Sequence, residues 1–587
     1  MPKELFTHIN RKVDDLITQV ENGTLGLPEL QRGFVWQAAK VRDLLDSMMK
    51  GFPIGYLMIW DSANDSDKNR QIGTDGKKYG TPKSLVIDGQ QRLTSLFAVM
   101  RGKKIIDDKF NEKSIIISFN PLTRILDVGN NAIMRSAEWI YDISEVFLNK
   151  TKSFNYITQK IRFISDNRIK NGSVLSDDEI EIIQQNIGDL LSLLEYSIPT
   201  LEIKGDTDEE NVAEIFVRVN SGGKNLGQDD FILTLVSVYW QEGRDKIEKF
   251  CRSAKIPNGT AYNNLLFEPS PNHIVRIATT FGLKRARLYY AYLILRGRDL
   301  KSGISSDKNR DEQFDIFKTA MEKVLNSQNW HDFIKCVESA GYVSKSLISS
   351  ENAIVYSYVM YLIGKYDYDL KEPDLRKIIS KWFFMCSISG YYTGSPETDM
   401  DVDLADMRGV KTGKEFIVLL ENKISGEFTQ DYFNISLVNA LENSSPRNLA
   451  WLGYCASLNI LEAKVLFSNL STRSLFSNAS KGTKNALERH HLFPKEYLKK
   501  IGISDDRDRN QTANFAFIEW FDNIEISDKS PFEYMQDYSL KIPKDEKEKI
   551  YELHALFNGW ENIDYLEFLE HRRILMAEII KKGYEKL

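Results

Sequence analysis

Seven histidines occur in the 587 residues, and two of them are adjacent, His490-His491, in the segment ALERHHLFPKEYL. Downstream lie Asn514 in QTANFAFI and Asn523 in EWFDNIEISDK, nine residues apart. These residue types suit phosphodiester hydrolysis. Histidine titrates near neutrality and can take a proton from water, which is worth about 10²–10⁴ in rate. A divalent cation stabilises charge on the phosphate and on the leaving oxygen. An asparagine carbonyl can fix the tautomer of an imidazole beside it. Adjacent side chains on a strand point to opposite faces, so two imidazoles serve one site only where the chain bends, and Pro494 and the loop beyond it make a bend plausible there. Each residue alone has a plainer explanation, the histidine as a satisfied interior group and the asparagine as a turn cap. Together, His490, His491, Asn514 and Asn523 can gather around one divalent cation and one phosphodiester. Arg489, Lys495 and Lys529 are candidate phosphate contacts, with solvated surface charge as the alternative for each.

A second group lies near the N-terminus, where Val86-Ile87-Asp88-Gly89-Gln90-Gln91-Arg92-Leu93-Thr94 reads as a strand end, a glycine turn and the start of a helix. The first N–H groups of such a helix are unpaired and face its positive dipole end, which suits a phosphate. Asp88 could hold a metal or orient water, and Arg92 could pair bidentately with phosphate oxygens. The alternative is that Asp88 caps the helix and pairs with Arg92. A second Gln-Arg pair, Gln31-Arg32, sits among aromatics in LPELQRGFVW, ahead of FPIG at 52–55. No GxxxxGK[ST] pattern is present, since Gly223-Lys224 is followed by Asn225 and lacks the upstream glycine, so nucleotide chemistry here is of the non-P-loop kind.

The elements that must carry these groups follow from periodicity. Helical spacing is expected over Ile9–Asn22 and Ala38–Lys50, strands over Gly55–Trp60 and Ser84–Ile87, a helix from Asp88 through Arg101 and a strand over Ser114–Phe119. From about Ser144 to Leu470 helical patterns dominate, broken by polar loops near Lys301–Glu312 and Tyr391–Gly413; strand-like runs and a closing helix return after the histidine pair. At 587 residues several domains are expected. With 42% hydrophobic and 27% charged residues, the chain is excluded from the disordered and low-complexity classes. Its net charge of −6, from 77 basic and 83 acidic side chains, argues against a wholly basic nucleic-acid coat and requires any DNA site to be local. Four scattered cysteines offer neither a zinc knuckle nor a disulfide framework, and no apolar run approaches the roughly 20 residues needed to cross a bilayer. A soluble cytoplasmic protein without membrane association is the expectation.

The segments LPELQRGFVW, FPIG, VIDGQQRLTSL and FVRVNSGGKNLGQDDF, in this order, resemble the N-terminal domain of the GmrSD group of modification-dependent restriction enzymes over roughly residues 5–240. That resemblance implies a ParB/sulfiredoxin-like fold binding or hydrolysing ATP or GTP at Asp88, Gly89, Gln90, Gln91 and Arg92, with Gln31 and Arg32 nearby. It also implies a polar loop at Arg218, Asn220, Ser221, Gly222 and Gly223, with Arg218 and Asn220 as candidate DNA or phosphate contacts and a helix C-cap as the alternative reading. The His/Asn group resembles the HNH, or ββα-metal, nuclease domain over about residues 440–587. Carried over, His491 is the general base, His490 the first metal ligand, Asn514 the asparagine that orients the base and Asn523 the last ligand. His-His stands where many relatives have Asp-His or Glu-His. Mg²⁺ or Mn²⁺ is the expected cofactor, although a neutral His/Asn set also suits other transition ions such as nickel or zinc.

The resulting expectation is an α+β multidomain chain: a ParB/sulfiredoxin-like domain at 1–240, a mostly helical middle at 241–440 and an HNH-like domain at 441–587. Expected partners are double-stranded DNA, modified DNA included, a nucleotide, and further copies of the chain in a homo-oligomer. The expected activity is that of a nucleotide-regulated endonuclease or nickase acting against foreign, phage-derived DNA. The alternative is a nucleotide- or DNA-binding regulator with a degenerate nuclease domain. In the middle, Arg285 and Arg287, among interleaved tyrosines, are candidate DNA contacts, with intramolecular ion pairs as the alternative. Glu397, Asp399, Asp401, Asp403 and Asp406 read as an acidic loop without calcium-binding spacing.

Overall fold

The computed structural model describes residues 5–26, 34, 36–61, 84–107, 112–204, 207, 215, 232–233, 236, 240–255, 264–476, 487–542 and 546–587. The chain divides into two compact units, 1–244 and 245–587. The architecture is mixed α+β, with helix dominating the second unit.

The first unit is built on a five-stranded sheet in the order β1-β9-β3-β4-β2. Its strands are β1 (Phe6–Lys12), β2 (Leu25–Gly26), β3 (Leu57–Asp61), β4 (Ser84–Asp88) and β9 (Ser197–Ile203). Between β4 and β9 in the chain run two short hairpins, β5 (Ile105–Ile106) with β6 (Glu112–Lys113) and β7 (Ile117–Asn120) with β8 (Ile125–Val128). The central strand β3 buries both faces, so its side chains alternate between two clusters. Leu57 and Ile59 enter the main core, while Met58 joins Ile87 and Ile203 on the other side. Helices α1 (Val13–Glu21), α2 (Ala38–Met49) and α3 (Gln90–Arg101) cover the main core. Val13, Leu16, Ile17 and Val20, and likewise Val41, Leu44, Leu45 and Met48, recur at the spacing that makes one apolar stripe, and all are buried. Arg101, its side chain 9% exposed, ties the end of α3 to Asp14 and Glu21 of α1, each at 3.0 Å.

Two expectations change here. The helix expected from Ile9 begins only at Val13, because residues 6–12 pair along their whole length with 197–203 as a mostly exposed edge strand. That partner strand lies inside the stretch, from about Ser144 to Leu470, where helical patterns were expected to dominate.

In the second unit, the helices Pro271–Leu283 and Asp307–Val324 pack together, as do Glu351–Tyr366 and Glu372–Ser389. Leu449–Ile460 is buried on every side, as an all-round apolar helix must be, and contacts both Glu372–Ser389 and the closing helix Tyr565–Lys586. The expected helical middle and the expected nuclease-like end thus share one unit. The acidic stretch is a helix, Pro396–Asp406, and not a loop. Proline at its start and acids in its first turn suit a helix N-terminus. Its charges are matched locally: Glu397 pairs with Arg276, and buried Asp403 receives Lys423, Tyr391 and Tyr392.

The histidine pair ends strand β10 (Leu487–His491), which pairs antiparallel with β11 (Phe515–Glu519); α4 (Trp520–Ile526) follows β11 directly. Among the described residues, no helix is long and apolar enough to cross a membrane.

Candidate functional site

The strand–strand–helix unit of the C-terminal region sets His490 opposite Ala516 and His491 opposite Phe515. His490 is 2% exposed and lies edge-on to Tyr534, whose hydroxyl donates to the Leu492 carbonyl at 2.7 Å. Its Nδ1 is 3.0 Å from Asn523 Oδ1, near the middle of α4. Burial pushes the imidazole pKa down to about 4; the Asn523 contact opposes that shift and neighbouring His491 adds to it. At neutral pH His490 therefore carries one N–H and one lone pair. Its Nε2 is buried and without a hydrogen-bond partner among the described residues.

The pair fits a divalent cation in one respect and limits it in another. The two atoms lie 3.0 Å apart, the spacing of neighbouring positions in an octahedral shell with bonds of about 2.1 Å, but as they stand they share the Nδ1 hydrogen, so a cation there would require that proton to sit on Nε2. Both donors are neutral, however, so the pair supplies no charge of its own. Such a set favours borderline transition ions and leaves Mg²⁺ dependent on further oxygen ligands.

His491, half-buried, lies edge-on to Phe515 with ring centroids 4.6 Å apart, and its Nε2 is 3.0 Å from Asn510 Oδ1. Asn510, outside the residues singled out from sequence, is thus the asparagine in contact with the base candidate. Asn514 is spent on backbone. Fully buried, its Oδ1 accepts from Phe493 N–H at 2.9 Å, and its Nδ2 donates to the carbonyls of Phe493 at 3.0 Å and Arg509 at 3.1 Å. The direct orienting contact expected of Asn514 is therefore replaced by an indirect one, in which Asn514 anchors the segment carrying Asn510. Arg572 supports the same loop from the closing helix, donating to the carbonyls of Ala513 at 2.6 Å and His554 at 3.1 Å. Neither Asn510 nor Arg572 has a local sequence signal beyond an asparagine after the short run DRDR and an arginine within a charge-rich helix.

Of the candidate phosphate contacts, Lys495 is half-buried and Lys529 exposed, and neither forms an ion pair among the described residues. The side chain of Arg489 lies outside them. Arg287 bonds Thr398 Oγ1 at 3.2 Å and approaches Asp401 at 3.7 Å, while Arg285 donates to the Lys284 carbonyl at 2.9 Å. The intramolecular alternative therefore describes Arg287, whose charge is matched by the acidic helix.

In the first unit, Gly89 takes φ +89° and starts α3, so the turn forms as the residue order predicts. Asp88 and Arg92 meet at 3.5 Å. The guanidinium also donates to the carbonyls of Ile54 at 3.2 Å and Tyr56 at 2.6 Å, tying α3 to the segment before β3. Nη1 and Nη2 of Arg92 thus each spend one N–H on holding the turn. The N–H groups at the start of α3 and the half-buried Asp88 and Gln90 remain the phosphate-facing candidates. Gln31, Arg32, Arg218 and Asn220 lie outside the described residues.

Residues 13–237 match the family model described as the N-terminal domain of the GmrSD restriction endonuclease. Over 573 residues, covering 91% of this chain and 87% of its relative, the chain is 23% identical to an uncharacterized protein of Methanocaldococcus jannaschii. The family match supports a GmrSD-type assignment and points to a restriction-type endonuclease with DNA as substrate.

Proposed function

We propose that this protein is a divalent-metal-dependent DNA endonuclease or nickase of the restriction type, cutting through an HNH-like site at its C-terminal end and regulated by ATP or GTP at the turn that starts α3. The observation that carries the reading is the pairing of His490 Nδ1 with Asn523 Oδ1 at 3.0 Å on a strand–strand–helix unit whose next residue is His491. His490 and Asn523 would hold the cation, which when bound supplies charge stabilisation at the phosphate. His491 takes a proton from water as the water oxygen bonds to phosphorus and the bond to the leaving ester oxygen breaks. Burial keeps His490 neutral and so available as a ligand at working pH. In the first unit, Asp88 and the N–H groups of Gln90 and Gln91 would receive the nucleotide phosphates and their metal.

Supercoiled plasmid, plain or carrying modified bases, incubated with Mn²⁺ or Mg²⁺ and with or without NTP, tests this. The wild type converts it to nicked or linear DNA, His491→Ala loses about 10²-fold or more of that activity with unchanged thermal stability, and Asp88→Ala loses the nucleotide effect. Cleavage undiminished in His491→Ala refutes the site.

A further inference from the structure

We propose that Asn510 is the positioning residue for His491, holding it as the tautomer protonated on Nε2 so that Nδ1 is the basic nitrogen. This deepens the nuclease reading and rests on it for its catalytic meaning.

The assignment follows from what each atom can donate. Asn510 Nδ2 lies 2.7 Å from the main-chain carbonyl oxygen of Asp506. A carbonyl oxygen only accepts, so the end of the carboxamide facing it is the NH₂ group. The other end, facing His491 Nε2 at 3.0 Å, is therefore the oxygen. That oxygen carries no hydrogen, so the contact is a bond only if Nε2 does. A neutral imidazole has one N–H, which makes Nδ1 the lone-pair nitrogen. Rotating the carboxamide by half a turn would set oxygen against oxygen at Asp506 and cost the bond there.

The turn that presents Asn510 is held from several sides. Asp505 accepts from the Arg507 N–H at 2.7 Å and caps the short helix Asp506–Arg509. The Arg509 side chain, 6% exposed, donates to Asp506 Oδ1 at 2.7 Å. Tyr565 of the closing helix donates to the Asp508 carbonyl at 2.8 Å, and Asn514 holds the Arg509 carbonyl. Phe515 stands against the imidazole itself. Ring plane and tautomer are thus set by different neighbours, and a base presented as one tautomer need not rearrange before it accepts a proton.

The test uses the full chain labelled with ¹⁵N histidine, observed by long-range proton–nitrogen correlation at about pH 8.5, where imidazoles are neutral. His491 is assigned by the signal lost in His491→Gln. The expected pattern is Nε2–H in the wild type and in Asn510→Asp, which keeps an oxygen acceptor toward Nε2 while giving up the bond to the Asp506 carbonyl, and Nδ1–H or a mixture in Asn510→Ala. Plasmid cleavage with Mn²⁺ should show kcat about 10- to 100-fold lower in Asn510→Ala, KM for DNA changed by less than about twofold, and part of the rate regained in Asn510→Asp. Nδ1–H at His491 in the wild type overturns the proposal, and so does an alanine variant that keeps both the wild-type tautomer and the wild-type kcat. Should the alanine variant not fold, the wild-type tautomer alone decides. A wild type that cuts no DNA refutes the nuclease reading, while the nitrogen pattern still rules on Asn510.

Discussion

Replacing Asn514 by alanine removes three hydrogen bonds from a fully buried position, at 2.9, 3.0 and 3.1 Å. Each is worth about 1 kcal/mol net, and a buried donor left without a partner adds about 1–3 kcal/mol. The stranded donor is the N–H of Phe493, whose side chain is only 2% exposed. The Arg509 carbonyl loses least, because the Tyr565 hydroxyl also reaches it, at 3.5 Å. The expected loss is about 3–5 kcal/mol, at the upper end for single substitutions. Asn514→Asp sharpens the test: it keeps an acceptor for Phe493 N–H but turns an oxygen toward two carbonyls, so it should destabilise comparably. Urea unfolding followed by tryptophan fluorescence reads both variants against the wild type. If both lose less than about 1 kcal/mol, Asn514 is not the anchor of this loop and the indirect route from Asn514 through Arg509 to Asn510 fails.

Two further perturbations address the rest of the framework. Gly89→Ala and Gly172→Ala both place a side chain at positive φ, +89° and +79°, but only at Gly89 would the new Cβ meet neighbours, 2.3 Å from Leu57 Cδ2 and 3.0 Å from Arg92 Nη2. Gly172→Ala should cost about 1–2 kcal/mol and Gly89→Ala about 1–3 kcal/mol more; equal shifts in Tm would contradict the close packing of Arg92 over the turn. His554 is buried, its Nε2 2.9 Å from the Lys464 carbonyl, and burial, with Arg572 adding to it, pushes its pKa down to about 4. The unfolded chain, with a histidine pKa of about 6.5, binds more protons between those values, so stability is full above about pH 6.5 and falls as the pH drops through about 4. About 2 kcal/mol should be gone at about pH 5 on account of His554, and His554→Gln should remove that share of the slope in denaturant unfolding while the share of buried His490 remains; an unchanged slope would show that His554 does not titrate this way.

What could be read from sequence was what is locally encoded. Val13, Leu16, Ile17 and Val20 announce α1 because helix spacing alone selects them, and Asp88-Gly89 marks the turn into α3 because only glycine takes its backbone angle freely. Residues 6–12 were illegible for the opposite reason. FTHINRK is a mostly exposed edge strand with little apolar alternation, and its conformation comes from pairing with residues 197–203, far along the chain. The same holds at the site. His490 and Asn523, 33 positions apart, could be suspected from type and spacing, and they do meet. The role of Asn510 depends on which atom of its amide faces Asp506, a choice made by the folded turn and invisible in RDRNQTAN.

The arrangement of the two histidines also bears on where a substrate could sit. Strand alternation sends His490 inward and His491 toward the surface, and their unequal burial follows from it. On the nuclease reading, a phosphodiester lying flat against either face of β10 would reach only one of them. It reaches both at the end of the strand, where His491 is the last residue of the β10–β11 ladder and the chain turns at Pro494. Lys495 begins the next helix at that end with no ion pair among the described residues, whereas Arg287 is matched by an acidic helix. A net charge of −6 is a sum over the whole chain and does not set the sign at this end of the strand, where Lys495, without an ion pair among the described residues, follows His491 by four positions.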